Sequence, residues 1–161
     1  MSEDLTRAVR LRKEGRAEEA RVILLELAAE RPDDPQVQYQ CAWVHDSLGR
    51  EREAVPFYER AIAGELSGRD LEGAFVGLGS TYRSLGEYRK AVETLREGVA
   101  RFSGNRAMEV FLTMALYNVG EHREATGLLL RTVAETSADG EISAYTEAIL
   151  YYAGRLDETS G

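Results

Sequence analysis

The sequence contains few of the residues that build metal, disulfide or nucleophilic sites. It has one cysteine, Cys41, and two histidines, His45 and His122, far apart in the chain. A single cysteine cannot form an intramolecular disulfide, and it fits a reducing, cytoplasmic environment. Two histidines and one cysteine without metal-ligand spacing do not predict a zinc site. We expect no catalytic residue, no metal and no cofactor, and we interpret all three residues as packing residues.

The chain also lacks long apolar runs and a basic patch. Its apolar runs are only a few residues long, far below the roughly 20 residues that a membrane-spanning helix needs. The N-terminal stretch MSEDLTRAVRLRKEG is charged from its third residue, unlike a secretory signal peptide. The net charge is −8, and acidic residues surround the densest basic cluster, at residues 7–16. Because an acidic surface repels phosphate backbones, we expect no nucleic-acid partner, and we expect no membrane partner either.

What the chain does contain is an internal repeat. The stretch LGREREAVPFYERAIA, at residues 48–63, returns as LGEYRKAVETLREGVA at residues 85–100. Five glycines recur with spacings of 34, 37, 34 and 34 residues, and the first four are each followed five residues later by an alanine. The glycines are Gly15, Gly49, Gly86, Gly120 and Gly154, and the alanines are Ala20, Ala54, Ala91 and Ala125. Two linked series at one period indicate a repeated structural unit.

Each repeat predicts two helices joined at the glycine. The chain has only three prolines and no clusters of β-branched residues, so helix is the expected structure. Glycine suits the turn because the residue that ends the first helix needs a left-handed backbone, which costs glycine little. The alanine suits the point where the two helices cross, since a larger side chain would push them apart.

This pattern resembles the tetratricopeptide repeat (TPR) family, most clearly in the unit that starts at Glu72. That unit carries the family pattern at Phe75, Leu78, Gly79, Tyr82, Gly86, Ala91 and Leu95. The resemblance covers nearly the whole chain. It implies an all-α fold, an α-α superhelix of about four helix-turn-helix units plus a C-terminal capping helix. It also implies a single domain, 1–161, with repeats at about 1–34, 35–71, 72–105 and 106–139, the capping helix at 140–153 and a short tail at 154–161.

The pattern predicts the positions of nine helices. We expect Asp70 to be the N-cap of the fifth helix. The ninth helix carries Ser143, Thr146 and Glu147 where earlier units have small or apolar residues, as a terminal helix with a hydrated outer face should. The predicted helices are 3–14, 17–30, 35–48, 51–66, 70–85, 88–101, 106–119, 122–136 and 140–153.

The resemblance implies a protein–protein interaction module, not an enzyme, whose partner lies on the concave face formed by the first helix of each unit. Aromatic and methionine side chains are common at those positions here, and exposed apolar clusters mark contact surfaces. We therefore expect a protein or peptide partner, bound through an apolar or aromatic segment or helix. The residues expected to contact it are Tyr39, Trp43, Asp46, Arg83, Phe111, Met114, Tyr117, Asn118 and Tyr145.

Other interpretations stay open from the sequence. The chain resembles small stand-alone bacterial TPR proteins, and Tyr151 and Tyr152 offer a patch for a homodimer. A small-ligand binder or enzyme accessory subunit would use a site around Trp43, Asp46 and Arg83. Neighbouring helices could also bury some of the rings. The family's carboxylate clamp for chaperone peptides is not predicted, because its positions hold Leu5, Val9, Gln36, Gln40 and Gly77.

Overall fold

The computed structural model describes residues 2–159, and throughout that range every regular element is an α-helix. The all-α prediction is therefore confirmed. The chain divides into two compact units, Met1–Glu87 and Tyr88–Gly161. The single-domain organisation of residues 1–161 stays a prediction. Between residues 2 and 159, no helix combines the length and the apolar character needed to cross a membrane.

Within residues 2–87 the first unit has five helices, and consecutive helices pack against each other. The middle helix, α3, also contacts α1 and α5, so these three helices form one layer of the unit. The five helices are α1 (Glu3–Lys13), α2 (Ala17–Glu30), α3 (Pro35–Ser47), α4 (Glu51–Ala63) and α5 (Gly68–Ser84). Leucines from α1 and α2 and valines from α3 form an apolar cluster, which includes Leu5, Leu24 and Val44. This core fixes the layer that carries the candidate site.

The predicted glycine turns are present in the first unit. Gly15 and Gly49 have φ of 81° and 68°, the left-handed conformation that the sequence predicts. The turn at Gly15 is closed by a hydrogen bond in which the Arg16 amide donates to the Leu11 carbonyl over 2.9 Å. Ala54, five residues after Gly49, is fully buried, as the crossing of two helices requires.

Between residues 88 and 159 the second unit has five helices. Helix α7 packs against both α6 and α8, and α10 packs against α8. The bounds are α6 (Tyr88–Arg101), α7 (Arg106–Asn118), α8 (His122–Thr136), α9 (Gly140–Ala144) and α10 (Thr146–Ala153). Gly120 repeats the left-handed turn with φ of 85°, and Ala125 is buried. Gly154 departs from the pattern, since it ends α10 with φ of −98°.

The connection between α4 and α5 differs from the prediction. Helix α4 ends at Ala63 because Gly64 is extended (φ −79°, ψ −169°), and α5 begins at Gly68 with Ser67 as its N-cap. Asp70 is therefore not the N-cap, and that prediction was wrong. Its carboxylate instead accepts a hydrogen bond from the Gln36 side-chain amide, with Nε2 and Oδ2 2.9 Å apart.

The predicted ninth helix is two helices, interrupted at Tyr145. The Tyr145 backbone (φ −109°, ψ 12°) leaves the helical region. Hydroxyl groups on both sides bond to backbone carbonyls: Ser143 Oγ donates to Asp139 O over 2.8 Å, and Thr146 Oγ1 donates to Ser143 O over 3.0 Å. Such side-chain bonds compete with the helical ladder, which accounts for the break.

Candidate functional site

The α1–α3–α5 layer of the first unit presents a tryptophan in an unusual setting. Trp43 on α3 is 40% exposed, although it lies between the buried residues Ala42 and Val44. The guanidinium carbon of Arg12, on α1, lies 3.6 Å from the centre of the Trp43 ring. Arg12 Nη2 also donates to Gln40 Oε1, at a long 3.4 Å. We call Arg12, Gln40 and Trp43, with Tyr39 beneath them, the Trp43 surface.

Two tyrosines support the Trp43 surface from below. The Tyr39 ring centre lies 5.7 Å from that of Trp43 and 6.4 Å from that of Tyr58, on α4. Both tyrosines are buried. Burial raises the pKa of Tyr39 to about 12, so its hydroxyl stays neutral near pH 7. The rings thus form a neutral, fixed support.

Helix α5 approaches these tyrosines through glycine. A Cβ atom at Gly73 would overlap the Tyr39 hydroxyl, and one at Gly77 would overlap the Tyr58 ring and hydroxyl. The absence of side chains at these two positions, one helical turn apart, lets α5 lie directly against both rings. Gly73 and Gly77 therefore have a packing role in α5.

Asp46, one turn after Trp43, is a point where three helices meet. Its Oδ2 accepts a hydrogen bond from the Tyr58 hydroxyl at 2.7 Å, and its Oδ1 accepts one from the Thr81 hydroxyl, on α5, at 2.9 Å. Burial raises the pKa of Asp46 above its ordinary value of 3.8, and the two hydroxyl donors partly oppose that shift. This carboxylate is therefore already engaged within the protein.

The structure gives little support to a small-ligand site around Trp43, Asp46 and Arg83. Arg83 lies two residues beyond Thr81 on α5, and residues two apart on a helix point in different directions. Thr81 faces Asp46, and by helix geometry Arg83 lies on a different face of α5 from Thr81. Trp43 and Asp46 do share one face of α3, but the partner of Trp43 there is Arg12.

Arg12 is the main site residue that the sequence analysis missed. It stands at the twelfth position of the first repeat, the position that Asp46 holds in the second. The first helix of the first repeat matches the family pattern poorly, so none of its residues was predicted to contact the partner on the concave face. Aligning the repeats by position would have marked Arg12 as a concave-face residue, as it marked Asp46.

The second unit presents a separate set of predicted residues on α7. Tyr117 is 65% exposed, whereas Phe111, Met114 and Asn118 are partly buried. The Tyr117 ring lies 4.9 Å from the His122 ring, and His122 is itself exposed. His122 is therefore not buried in the core, in contrast to His45, which is buried and stacks on Phe57.

The end of the second unit carries an open apolar groove of about 560 Å³. We call it the terminal groove; its lining residues are Leu130, Glu141, Ile142, Tyr145, Ala148, Ile149 and Tyr152. Tyr145, Tyr151 and Tyr152 are all exposed. Tyr145 and Tyr152 line the groove, whereas Tyr151 lies outside it, with the Arg155 guanidinium 4.3 Å from its ring centre. The outer face of the terminal helices is thus more apolar than Ser143, Thr146 and Glu147 suggested.

Between residues 2 and 159, no group of three or more histidine, cysteine, aspartate and glutamate side chains is placed to hold a metal ion. Cys41 is buried and free, and its thiol donates to the Leu24 carbonyl at 3.3 Å.

Comparisons with known proteins agree with this architecture. One similar solved structure contains the nearly identical TPR-like repeats of a Podosopora anserina kinesin light chain. The similarity covers 93% of this chain and 83% of that chain, at 21% identity and a TM-score of 0.69. It is similar over 99% of both chains to the MamA RS-1 ArsTM double mutant, at 18% identity and a TM-score of 0.71. A comparison with curated proteins gives no match.

At these identities the solved structures establish the fold alone. The family assignment rests on the sequence itself, because residues 35–156 match the family model described as the tetratrico peptide repeat. That range includes α3 to α10 and with them three of the four repeats predicted from the glycine spacing. The chain belongs to the tetratricopeptide repeat family, whose fold serves as a scaffold for protein–protein interaction.

Proposed function

We propose that this protein is a non-catalytic interaction module that binds an apolar or aromatic peptide segment, with the Trp43 surface as its principal anchor. The observation that carries the proposal is the position of Trp43, held by Arg12 on one side and by Tyr39 beneath while part of its ring stays exposed. Tryptophan is among the residues that contribute most to binding energy at interfaces.

The rigidity of the Trp43 surface supports this role. Ordering a side chain on binding costs about 0.5–1.5 kcal/mol, and a ring already fixed by its neighbours avoids most of that cost. The burial of Tyr39 and Tyr58, and the direct approach of α5 to both rings, give Trp43 such a support. A partner side chain would therefore meet a preformed platform.

The exposed face of α7 supplies a second contact surface in the proposal. Tyr117 offers a large, exposed ring, and Phe111 and Met114 offer partly covered apolar area beside it. Asn118 adds a polar group that can bond to a peptide backbone. Tyrosine and methionine are enriched at interfaces, which supports a binding role for this face.

Fluorescence of Trp43 can test the proposal directly, because Trp43 is the only tryptophan in the chain. Dodecapeptides without tryptophan would be selected by display on the wild-type protein, and binding would be followed through Trp43 emission. We expect enrichment of apolar and aromatic residues and a change in Trp43 emission. Trp43→Ala should weaken binding of a labelled peptide about 30-fold or more, the effect of losing a hot-spot residue.

The matched control is Val22→Ala, which also removes an exposed apolar side chain but lies on α2, outside the α1–α3–α5 layer. It should leave the affinity unchanged. Peptides that bind equally well to wild type and to Trp43→Ala would place the anchor elsewhere, and the proposal would then fail for this surface. Tyr117→Ser would measure the contribution of the α7 face in the same assay.

Self-association through the terminal groove is a second candidate function. The observation that favours it is an exposed apolar groove with Tyr145, Ile149 and Tyr152 along it, at a helix face that no later helix covers within residues 2–159. Two copies would bury these faces against each other in a homodimer. Sedimentation at tens of micromolar should then detect a dimer.

The two neighbouring tyrosines provide a matched pair for this test. Tyr152 lines the groove and Tyr151 does not, so Tyr152→Ser should dissociate the dimer while Tyr151→Ser should not. A wild-type protein that sediments as a monomer throughout this concentration range would refute self-association.

We place the protein in the cytoplasm, because its one cysteine is buried and unpaired.

A further inference from the structure

Arg12 has a guanidinium group whose bonding capacity is largely unused. A guanidinium offers five N–H donors, and within residues 2–159 only Nη2 finds an acceptor, Gln40 Oε1 at 3.4 Å. Its Nε is buried without a hydrogen-bond partner. Burial also lowers the pKa of Arg12, as expected where no carboxylate balances the charge. Within residues 2–159 the cation is held by the Trp43 ring and by the long Gln40 contact.

Several arginines of this acidic protein pair with carboxylates. Arg16 bonds to Glu19, Arg50 bonds to Glu18, and Arg96 bonds to Glu124, each with an N–O distance of 2.6 Å. Across residues 2–159, Arg12 forms no ion pair of this kind, although the chain has 28 acidic residues. The nearby Asp46 does not supply the partner, since its carboxylate bonds to Tyr58 and Thr81. The missing anion is therefore not provided by the described chain.

We propose that the peptide segment bound at the Trp43 surface carries an aspartate or glutamate side chain that pairs with Arg12, next to the apolar residue that packs on Trp43. This inference rests on the proposed function and adds the chemistry of the partner. The carboxylate would accept two hydrogen bonds from the outer nitrogens of the guanidinium, the planar geometry that arginine favours. The long Gln40 contact would be exchanged for a charge-assisted bond.

A carboxylate within the segment fits better than the C-terminal carboxylate of a peptide. Arg12 is a single cation, and the positions that would add further donors around a chain terminus hold Leu5, Val9 and Gly77. The net charge of −8 repels acidic peptides at long range. A preference for an acidic residue would therefore reflect a short-range contact with Arg12 and not the overall field.

The test uses the same display selection on three proteins: wild type, Arg12→Gln and Arg10→Gln. Arg10 is exposed on α1, so Arg10→Gln makes the same change in charge away from Trp43. Selected peptides without tryptophan would be synthesised with an amidated C-terminus, and their acidic residues would be replaced one at a time by asparagine or glutamine. Trp43 emission reports binding to all three proteins. Circular dichroism melting checks that each variant is folded, and Arg12→Lys provides a second variant that keeps the charge without the planar fork.

We expect peptides selected on wild type and on Arg10→Gln to share an acidic residue next to an apolar one. Neutralising that residue should weaken binding to wild type about ten- to hundred-fold, the range for a hydrogen bond to a charged group. The same replacement should have no effect on binding to Arg12→Gln. Arg12→Lys should retain part of the preference.

The outcomes separate this inference from the proposed function. Peptides that change Trp43 emission but tolerate neutralisation of every acidic residue would overturn the inference and leave the proposed function standing. Peptides that bind only with a free C-terminal carboxylate would overturn it as well. If no peptide changes Trp43 emission, both fail.

Discussion

Tyr58 donates its phenolic hydrogen to Oδ2 of Asp46 across 2.7 Å, and this bond joins α4 to α3. Thr81 adds α5 to the same carboxylate. One partly buried side chain thus links three helices directly beneath the Trp43 surface. Asp46 was expected to contact a partner, but its geometry indicates that its main effect is to position the helices that carry the site.

Replacing Asp46 with asparagine should change how stability depends on pH. Burial raises the folded-state pKa of Asp46, so the folded protein binds this proton more tightly than the unfolded chain does. The contribution of Asp46 to the free energy of unfolding is then greatest below pH 3.8, and it falls as pH rises from 3.8 through the raised folded-state pKa. Asp46→Asn does not titrate, so its stability relative to wild type should increase across that window.

Urea denaturation at several pH values measures this difference. Asp33→Asn is the matched control, since Asp33 is exposed and the substitution makes the same change in charge. A difference between wild type and Asp46→Asn that stays constant from pH 3.5 to pH 7 would contradict the prediction. Glu51 raises and His45 lowers the pKa of Asp46, and both residues are present in wild type and in the variant.

Gly77→Ala should destabilise the first unit. The new methyl group would overlap the Tyr58 ring, whose Cε1 would lie 2.7 Å away, so either the ring or α5 must move. Overpacking of this kind costs about 1–3 kcal/mol. Gly140→Ala is the control, because a Cβ atom there has nothing within 4 Å. Chemical denaturation should show a lower free energy of unfolding for Gly77→Ala but not for Gly140→Ala, together with a shift in Trp43 emission. Equal stabilities of the two variants would refute the close approach of α5 to the Tyr58 ring.

Most of the fold could be predicted from the sequence because the repeat supplies local signals. Gly15, Gly49 and Gly120 have the left-handed backbone that the spacing predicts, and helix bounds agree to within a few residues. The errors occur at the connection between α4 and α5 and in the terminal helices. Asp70 was predicted to cap α5, but its carboxylate accepts a hydrogen bond from Gln36 instead. The pattern predicted one continuous ninth helix, but side-chain hydroxyl groups that bond to the backbone interrupt it at Tyr145.

The candidate site was less accessible to sequence analysis because it depends on contacts between helices. Trp43 was identified from its repeat position, but its partner Arg12 lies on another helix, 31 positions earlier in the printed sequence. Likewise, Asp46 was predicted as a charged residue on the concave face, whereas nothing in the sequence marked Tyr58 and Thr81 as its hydrogen-bond partners. Such pairings follow from how the helices pack, which the repeat pattern does not specify.

Gly127→Ala should loosen the terminal helices. A Cβ atom at Gly127, on α8, would overlap the carbonyl oxygen of Ala153, at the end of α10, and a backbone atom cannot rotate away as a side chain can. Helix α10 would therefore be displaced, and the terminal groove with it. We expect a lower melting temperature and faster proteolysis within residues 140–159. Gly154→Ala, where a Cβ atom meets nothing within 4 Å, should leave both unchanged.

Cys41 should be unreactive in the folded protein and can report the opening of the first unit. Burial raises the pKa of its thiol to about 12, so almost no thiolate forms at pH 8, and the Leu24 carbonyl accepts its hydrogen. A chromogenic disulfide reagent should label native protein very slowly and urea-unfolded protein at the rate of a free cysteine. Because Cys41 is the only thiol, the labelling rate at low urea measures the opening that separates α2 from α3. Gly77→Ala should accelerate that rate and Gly140→Ala should not, whereas rapid labelling of the native protein would contradict the burial of Cys41.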